Sequence, residues 1–243
     1  MKIRVYIDSP LETGDIFELP PKVFHHLVKV LRLSINSEFF VFNGQGGNCK
    51  ARLISIEKKR AKAEINAFIA DSITPGQRIH LAQAISRGDR MDFALQKAVE
   101  LGVSEITPVF AENSAVKLPK ERLQNKIRHW HEIMVSATEQ CGRSDLPKLN
   151  IPFSFAQFVA IEDRHSCKII LDPHSEKSFG SLHQPGENIL VMIGPESGFT
   201  HTEIALAQKN GFKSIKLGPR VLRTETAAIA AITTIQVLFG DII

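Results

Sequence analysis

The sequence predicts an α/β protein in which a small β-rich module precedes a larger domain with a mainly parallel sheet. Residues 1–70 carry mostly strand patterns, and from residue 79 onward strand patterns alternate with helical ones. Between them lies the stretch DSITPGQ at 71–77, whose proline, glycine and polar residues are typical of a linker. We therefore predict two domains, at residues 1–72 and 73–243.

The N-terminal module is predicted from four strand patterns and one helix. Alternating or apolar stretches predict strands at residues 2–7, 38–43, 49–56 and 61–68, with the turn NGQGGN between two of them. A helix is expected after Pro20 and Pro21, where FHHLVKVLR places apolar residues at helical spacing: Val23, Leu27, Val30 and Leu31. This content, in about 70 residues, predicts a small barrel-like module.

The C-terminal domain is predicted from five strands that alternate with helices. The strands lie at residues 79–86, 104–110, 167–172, 188–194 and 214–218. The helices lie at residues 90–102, 121–142, 201–211 and 224–240. Short apolar runs rich in β-branched residues are typical of parallel strands buried on both faces. The alternation therefore predicts three layers, with helices covering a mainly parallel sheet.

The closing helix is apolar around most of its circumference. It reads TETAAIAAITTIQVLFG and carries no charge between Glu225 and Asp241. Such a helix must be covered on several sides, either inside one subunit or partly by a second subunit. We favour the second arrangement, and expect a homodimer because two-fold dimers are the commonest oligomers.

Composition and charge narrow the functional class. Hydrophobic residues make up 43% and charged residues 23%, which is typical of a globular chain. Neither a signal peptide nor a membrane span is recognisable, and the three scattered cysteines favour a reducing compartment. We therefore expect a cytoplasmic protein. Residues 1–149 hold 22 basic against 17 acidic residues, a pattern compatible with polyanion binding or with an ordinary solvated surface.

The turn IGPESGFT, at residues 193–200, follows a predicted buried strand. It lacks the Gly-Lys-Ser/Thr ending of a P-loop and the three glycines of a Rossmann turn. Thr200 and Glu203 form a capping-box pattern, so a helix is expected to begin at about residue 201. The turn therefore lies where α/β proteins bind ligands, and Glu196 would suit a cationic or hydrogen-bond-donating ligand better than a phosphate. A purely structural turn is the alternative.

A second Gly-Pro segment, LGPRVLRTETA at residues 217–227, also joins a predicted strand to a helix. Thr224 or Thr226 could cap that helix. Arg220 and Arg223 flank two apolar residues, which is unusual for a simple linker. Because both Gly-Pro segments leave neighbouring strands, we expect them to form two walls of one pocket.

The sequence gives only weak indications of a metal site, a cysteine nucleophile or a further phosphate-binding site. His129 and His131 are two residues apart on a predicted helix, whereas helical metal ligands are usually four apart, so we expect no metal site. Cys141 lacks a recognisable partner base and is predicted to pack rather than react. Near the start of the predicted helix at 90–102, Arg87, Arg90 and Lys97 are equally compatible with phosphate contact and with a solvated helix end.

Together these segments closely resemble the ribosomal RNA small subunit methyltransferase E family of the SPOUT superfamily. The resemblance rests on IGPESGFT, LGPRVLRTETA, SRGDRMDFALQKAVELGVSEITPVF and EQCGR, and it extends to HHLVKVLRL in the front module. It implies a PUA-like RNA-binding β-barrel followed by a SPOUT domain with a trefoil knot. It also implies a homodimer that methylates N3 of a uridine in 16S rRNA, either in bare rRNA or in the small ribosomal subunit.

The resemblance further implies S-adenosyl-L-methionine as the cofactor, whose sulfonium and amino group would suit an acidic turn. The residues expected to bind it are Leu171, Ile193, Gly194, Glu196, Gly198, Leu217, Gly218, Leu222, Thr224 and Ala227. We assign Arg223 to stabilising the uracil anion and Glu196 as a candidate base. The candidates for RNA phosphate contact are Arg4, Arg32, Arg87, Lys97 and Arg143.

Two positions depart from the family pattern. Ser197 replaces a glycine within the first Gly-Pro turn, which would cause strain if that position required a positive φ. Asn113 replaces an arginine in Glu112-Asn113-Ser114, so the resemblance does not imply an arginine contact to RNA at this position. The alternative functions are a non-catalytic RNA-binding assembly factor, and a small-molecule or tRNA methyltransferase of related fold.

Overall fold

The chain folds into two compact units. The computed structural model describes residues 3–70, 77–114, 120–161 and 164–242. One unit comprises Met1–Thr74 with Thr138–Leu146, and the other comprises Pro75–Ala137 with Pro147–Ile243. The predicted boundary between residues 72 and 73 lies outside the described residues. The return of residues 138–146 to the N-terminal unit has no counterpart in the sequence pattern.

The N-terminal unit is built on a five-stranded sheet. Its strands are β1 (Arg4–Tyr6), β2 (Ile16–Glu18), β3 (Glu38–Phe42), β4 (Asn48–Ile56) and β5 (Ala61–Ile69). They lie in the order β1-β3-β4-β5-β2, with β1 parallel to β3 and the other pairs antiparallel. The four predicted strands are confirmed. The sequence did not predict β2, because three residues are too short for a recognisable alternation.

The helix of this unit has an unexpected geometry. Helix α1 (Pro21–Phe24) continues into a π-helical turn over His25–Val30. Leu27 is fully buried in the core, but Val30 and Leu31 are 57% and 40% exposed. The α-helical spacing of these apolar residues therefore does not give one buried face, because a π-turn has more residues than an α-turn and rotates later side chains off that face.

The C-terminal unit contains a parallel sheet with helices between its strands. The strands are β6 (Arg78–Ala84), β7 (Glu105–Phe110), β8 (Lys148–Leu149), β9 (Phe153–Ser154), β10 (Cys167–Leu171), β11 (Asn188–Ile193) and β12 (Lys213–Ile215). The helices are α2 (Gly88–Glu100), α3 (Lys120–Cys141), α4 (Phe155–Ile161), α5 (His201–Lys209) and α6 (Thr224–Phe239). The order is β12-β10-β11-β6-β7, and both β8 and β9 pair with β7.

All five predicted strands and all four predicted helices of this unit are confirmed, as is the parallel sheet. The central strands are buried on both faces, which explains their continuous apolar sequences. Strands β8 and β9 and helix α4 were not predicted. The two strands have two residues each, so periodicity could not identify them.

Helix α6 is buried along one face and partly uncovered along the other. The buried face comprises Thr224, Ala228, Ala231, Ile232, Ile235 and Gln236. It packs against α2, and the Gln236 amide donates a hydrogen bond to the carbonyl oxygen of Leu101 at 2.9 Å. Near the helix end, Val237 and Leu238 are 57% and 49% exposed. One chain therefore leaves part of this apolar helix without cover.

Candidate active site

Three loops meet at the carboxyl edge of the parallel sheet. They follow β10 at Leu171, β11 at Ile193 and β12 at Ile215. Because these strands are neighbours and run in the same direction, their following loops emerge side by side. The three loops and the start of α6 line a cavity of about 260 Å³.

The structure brings together every residue that the resemblance assigned to the cofactor. The cavity is lined by Leu171, Ile193, Gly194, Glu196, Gly198, Leu217, Gly218, Leu222, Thr224 and Ala227. It is also lined by residues that the sequence analysis did not assign, among them Asp172, His174, Phe199, Ile204, Ile215, Arg220 and Val221. Asp172 is the last residue of the strand predicted at 167–172 and His174 lies two residues beyond it, so the rule applied to the two Gly-Pro turns could have identified them. Contact of all these residues with a cofactor stays a prediction.

The turn after β11 is held by the predicted capping box. The hydroxyl of Thr200 accepts a hydrogen bond from the backbone N–H of Glu203 at 3.2 Å, and the Glu203 carboxylate accepts one from the N–H of Thr200 at 2.9 Å. Helix α5 begins at His201, as expected. Gly198 has a φ of 73°, a conformation in which a side chain would be strained.

Ser197 does not carry the strain that a positive φ would have caused. It is absent from the described non-glycine residues with a positive φ. Its hydroxyl donates a hydrogen bond to the carbonyl oxygen of Asn113 at 3.2 Å. The two positions that depart from the family pattern therefore contact each other, and this hydrogen bond joins the turn after β11 to the loop after β7.

Glu196 joins the turn to the start of α2. Its Oε1 accepts a hydrogen bond from the backbone N–H of Arg87 at 3.1 Å and lies 3.4 Å from a guanidinium nitrogen of Arg90. The side chain is 24% exposed and lines the cavity. One carboxylate oxygen thus fixes the neighbouring loop, and the carboxylate also gives the cavity wall a negative charge.

Thr224 connects three parts of the site. Its buried hydroxyl donates to the carbonyl oxygen of Gly194 at 2.6 Å and accepts from the side-chain amide of Gln83 at 2.9 Å. The prediction that Thr224 or Thr226 caps α6 is wrong, because Arg223 is the N-cap residue. The threonine hydroxyl instead ties the start of α6 to the first Gly-Pro turn and to the end of β6.

The two arginines of the second Gly-Pro segment differ in position. Arg220 lines the cavity. Arg223 is exposed and is not among the cavity-lining residues. A role for Arg223 toward a target base outside the cavity is compatible with this position, and its assignment as a catalytic residue stays a prediction.

The five candidate RNA contacts fall into two groups. Arg4 donates to the Asn48 side chain at 2.8 Å and to the carbonyl oxygen of Arg143 at 2.6 Å, and Arg143 forms an ion pair with Asp145 at 2.6 Å. Lys97 forms an ion pair with Glu100 at 2.8 Å. These three side chains therefore have structural roles in the chain itself. Arg32 and Arg87 are exposed, and in the described ranges neither guanidinium has an ion-pair partner.

Two further structural findings concern metals and membranes. In residues 3–70, 77–114, 120–161 and 164–242, no three histidine, cysteine or carboxylate side chains converge as a metal site would require. Within the same ranges, no helix combines the length and apolarity needed to cross a bilayer.

Comparison with known protein families agrees with this architecture. The family described as RNA methyltransferase domain matches residues 74–236, and the family described as RNA methyltransferase PUA domain matches residues 19–66. Ribosomal RNA small subunit methyltransferase E from Buchnera aphidicola (subsp. Acyrthosiphon pisum) is 37% identical over 238 residues, which cover 98% of this chain and 94% of that protein.

Two solved structures are similar over the full length of both chains. A putative methyltransferase from Legionella pneumophila, in complex with S-adenosylmethionine, is 38% identical with a TM-score of 0.95. Ribosomal RNA small subunit methyltransferase E from Neisseria gonorrhoeae, bound to S-adenosylmethionine, is 37% identical with a TM-score of 0.93. The fold and the cavity therefore define an RNA methyltransferase with an N-terminal PUA domain. The chain belongs to the ribosomal RNA small subunit methyltransferase E family.

Proposed function

We propose that this protein transfers a methyl group from S-adenosyl-L-methionine to N3 of one uridine in the 16S rRNA of the small ribosomal subunit. The observation that carries the proposal is the convergence of all ten expected cofactor residues on one cavity at the carboxyl edge of the sheet. Full-length similarity to two structures that contain this cofactor supports it.

The residues of the cavity fit the chemistry of the cofactor. The apolar side chains of Ile193, Ile215 and Leu222 offer a surface for the adenine ring, and Glu196 and Asp172 bring negative charge to the wall. The cofactor carries a sulfonium and an ammonium but no phosphate, so an acidic wall suits it. When bound, it supplies an electrophilic methyl group for in-line displacement.

Two residues of the chain are assigned to the reacting uracil, one to its proton and one to the negative charge that develops on it. Uracil N3 carries a proton at neutral pH, and this proton must leave as the N3–methyl bond forms and the carbon–sulfur bond breaks. Arg223, at the exposed start of α6, is assigned to stabilising the negative charge that develops on the uracil. Glu196 is the candidate for accepting the proton, and Oε2 is the oxygen not engaged by Arg87.

The RNA must present the target base unpaired, because N3 lies on the Watson–Crick edge. Arg32 in the N-terminal unit and Arg87 at the start of α2 are the exposed candidates for phosphate contact.

The proposal also includes action in the cytoplasm, a trefoil knot in the C-terminal unit, and a homodimer. The uncovered Val237 and Leu238 on α6 support the dimer.

The deciding experiment combines cofactor binding with methyl transfer. Calorimetry with S-adenosyl-L-methionine should show one site per chain. The protein should then methylate 16S rRNA, or small subunits, from a strain that lacks the modification, and the product nucleoside should be 3-methyluridine. RNA binding without cofactor binding would instead support a non-catalytic assembly factor. Methylation of another position would retain the enzyme and overturn the N3 assignment.

A further inference from the structure

A second cavity lies beside the cofactor cavity in the C-terminal unit. It has a volume of about 500 Å³ and shares Asp172 and His174 with the first cavity. Its other lining residues include Lys177, Gln208 and Lys213. The two cavities are therefore neighbours, separated by the short loop that follows β10.

The wall between the cavities is fixed by hydrogen bonds. Asp172 accepts one from the hydroxyl of Ser214 at 2.8 Å and another from the backbone N–H of His174 at 2.9 Å. Ser175 donates to the carbonyl oxygen of Ser214 at 2.8 Å. Both oxygens of Asp172 are thus engaged in the wall, and this part of the cavity is formed without a ligand.

Two lysines line this cavity, and two others lie within two residues of its lining residues in the sequence. Lys177 and Lys213 line it, Lys209 ends α5, and Lys216 donates its backbone N–H to the carbonyl oxygen of Lys177 at 2.9 Å. Across the described part of the chain, none of the four forms an ion pair.

We propose that this cavity, through Lys177 and Lys213, binds phosphate groups of the substrate RNA next to the nucleotide to be methylated. Lysines contact phosphates as point charges, and Gln208 and His174 add hydrogen-bond donors. Two carboxylates, Asp172 and Glu176, also line the cavity, and both oxygens of Asp172 already accept hydrogen bonds from Ser214 and from the backbone N–H of His174. The site would hold the backbone beside the cofactor cavity, so it deepens and rests on the proposed function.

The lysines have one competing explanation. Strand β12 is the outermost strand of the sheet, and lysines on edge strands oppose pairing with another chain. Protection of the edge strand does not require a cavity. If it is the role of these lysines, their removal should increase self-association of the protein and leave its affinity for RNA unchanged. The two explanations therefore differ in a measurable way.

The test is the double variant Lys177→Gln/Lys213→Gln. Its affinity for unmodified 16S rRNA should fall about tenfold at ~150 mM salt, and the slope of log K against log salt should become shallower by about 1.4. The KM for RNA should rise by the same factor, whereas kcat at saturating RNA and the Kd for S-adenosyl-L-methionine should not change. Both lysines are exposed, so folding should not be affected.

The matched control is Arg122→Gln/Lys126→Gln, which removes the same charge from α3 outside both cavities. An equal loss of RNA affinity in the control would mean a general charge effect and would overturn the proposal. Wild-type RNA affinity in the lysine variant, with increased self-association, would support edge protection instead. Because RNA affinity is measured directly, the result stands even if the wild-type protein transfers no methyl group, an outcome that would refute the proposed function alone.

Discussion

Glu203 accepts a hydrogen bond from the backbone N–H of Glu112 at 2.8 Å, across 91 residues of sequence. Its second oxygen accepts from the N–H of Thr200 at 2.9 Å, and the carboxylate is only 6% exposed. The hydroxyl of Thr200 in turn donates to the Glu112 side chain at 3.0 Å. One buried carboxylate thus caps α5 and joins the loop after β7 to the turn that lines the 260 Å³ cavity.

The first prediction concerns this carboxylate. Glu203→Gln replaces one acceptor by an NH₂ group that faces a backbone donor, so one buried N–H loses its partner. We expect the free energy of unfolding to fall by about 1–3 kcal/mol and the cofactor affinity to decrease, since the turn is no longer held. Urea unfolding and calorimetry measure the two effects. Glu57→Gln, at an exposed turn, should change neither, and an equal effect there would contradict this explanation.

The capping box shows how far the sequence could predict this site. The spacing of Thr200 and Glu203 predicted the start of α5, because the capping box is a local interaction. The bond from Glu203 to Glu112 depends on the packing of β7 near β11, which no local pattern contains. For the same reason, the structural bonds of Arg4 and Arg143 could not be predicted from their charge.

Longer elements were predicted better than short ones. Strands such as Asn188–Ile193 have enough apolar residues to be recognised, whereas Lys148–Leu149 and Phe153–Ser154 form only because β7 offers an unpaired edge. The two Gly-Pro turns were predicted to line one cavity because loops that follow parallel strands emerge at the same edge of the sheet, and they do. The prediction that they leave neighbouring strands is wrong, because β10 lies between β11 and β12. The π-turn at His25–Val30 was not, because its sequence retains α-helical spacing.

The second prediction concerns Thr224. Thr224→Val removes the hydroxyl between the Gly194 carbonyl oxygen and the Gln83 amide, and leaves both buried groups without this partner. We expect a loss of about 1–3 kcal/mol in unfolding free energy and weaker cofactor binding. Thr224→Ser keeps the hydroxyl and should retain most of both. If the serine variant were as impaired as the valine variant, the methyl group rather than the hydrogen bonds would be responsible.

The third prediction separates two arginines three residues apart. Arg223→Ala should lower single-turnover methyl transfer by about 10²–10³-fold, the usual effect of removing one stabilising donor, while cofactor and RNA still bind. Arg220 lines the cavity, where its guanidinium would pair with the carboxylate of the cofactor, so Arg220→Ala should weaken cofactor binding by about tenfold. Calorimetry and single-turnover assays at saturating substrates distinguish the two, with Arg122→Ala as the control. Normal turnover by Arg223→Ala would show that this arginine is not catalytic.

The fourth prediction follows from a buried polar cluster at the amino ends of the strands. His80 is 2% exposed, and its ring contacts His165 at 3.1 Å and the Thr107 hydroxyl at 2.8 Å. Burial lowers the pKa of His80 to about 3, although the nearby Glu105 charge opposes this shift. Burial would raise the pKa of Glu105, but hydrogen bonds from Asn150 and Arg164 and the neighbouring positive charges lower it to about 2. The charged or titratable groups facing His80 are Glu105, Lys148, Arg164 and His165.

Both shifts reduce stability in acid. The unfolded chain protonates His80 near pH 6.5, whereas the folded chain does so only near pH 3, so the unfolded state binds more protons between these values. Stability should therefore fall as the pH falls from about 6.5 to 3, by up to ~1.4 kcal/mol per pH unit from His80. Glu105 contributes stability that is present above pH 4.5 and lost as the pH falls toward 2.

Between pH 6.5 and 5, the contribution of His80 to the pH dependence of stability can be measured separately from that of Glu105. Urea unfolding of the wild-type protein at several pH values in this window should give the predicted slope, and His80→Gln should make it shallower by about 1 kcal/mol per pH unit. His183→Gln removes an exposed histidine and should leave the slope unchanged. A wild-type slope that persists in His80→Gln would assign the acid sensitivity to another group, because glutamine cannot take up the proton.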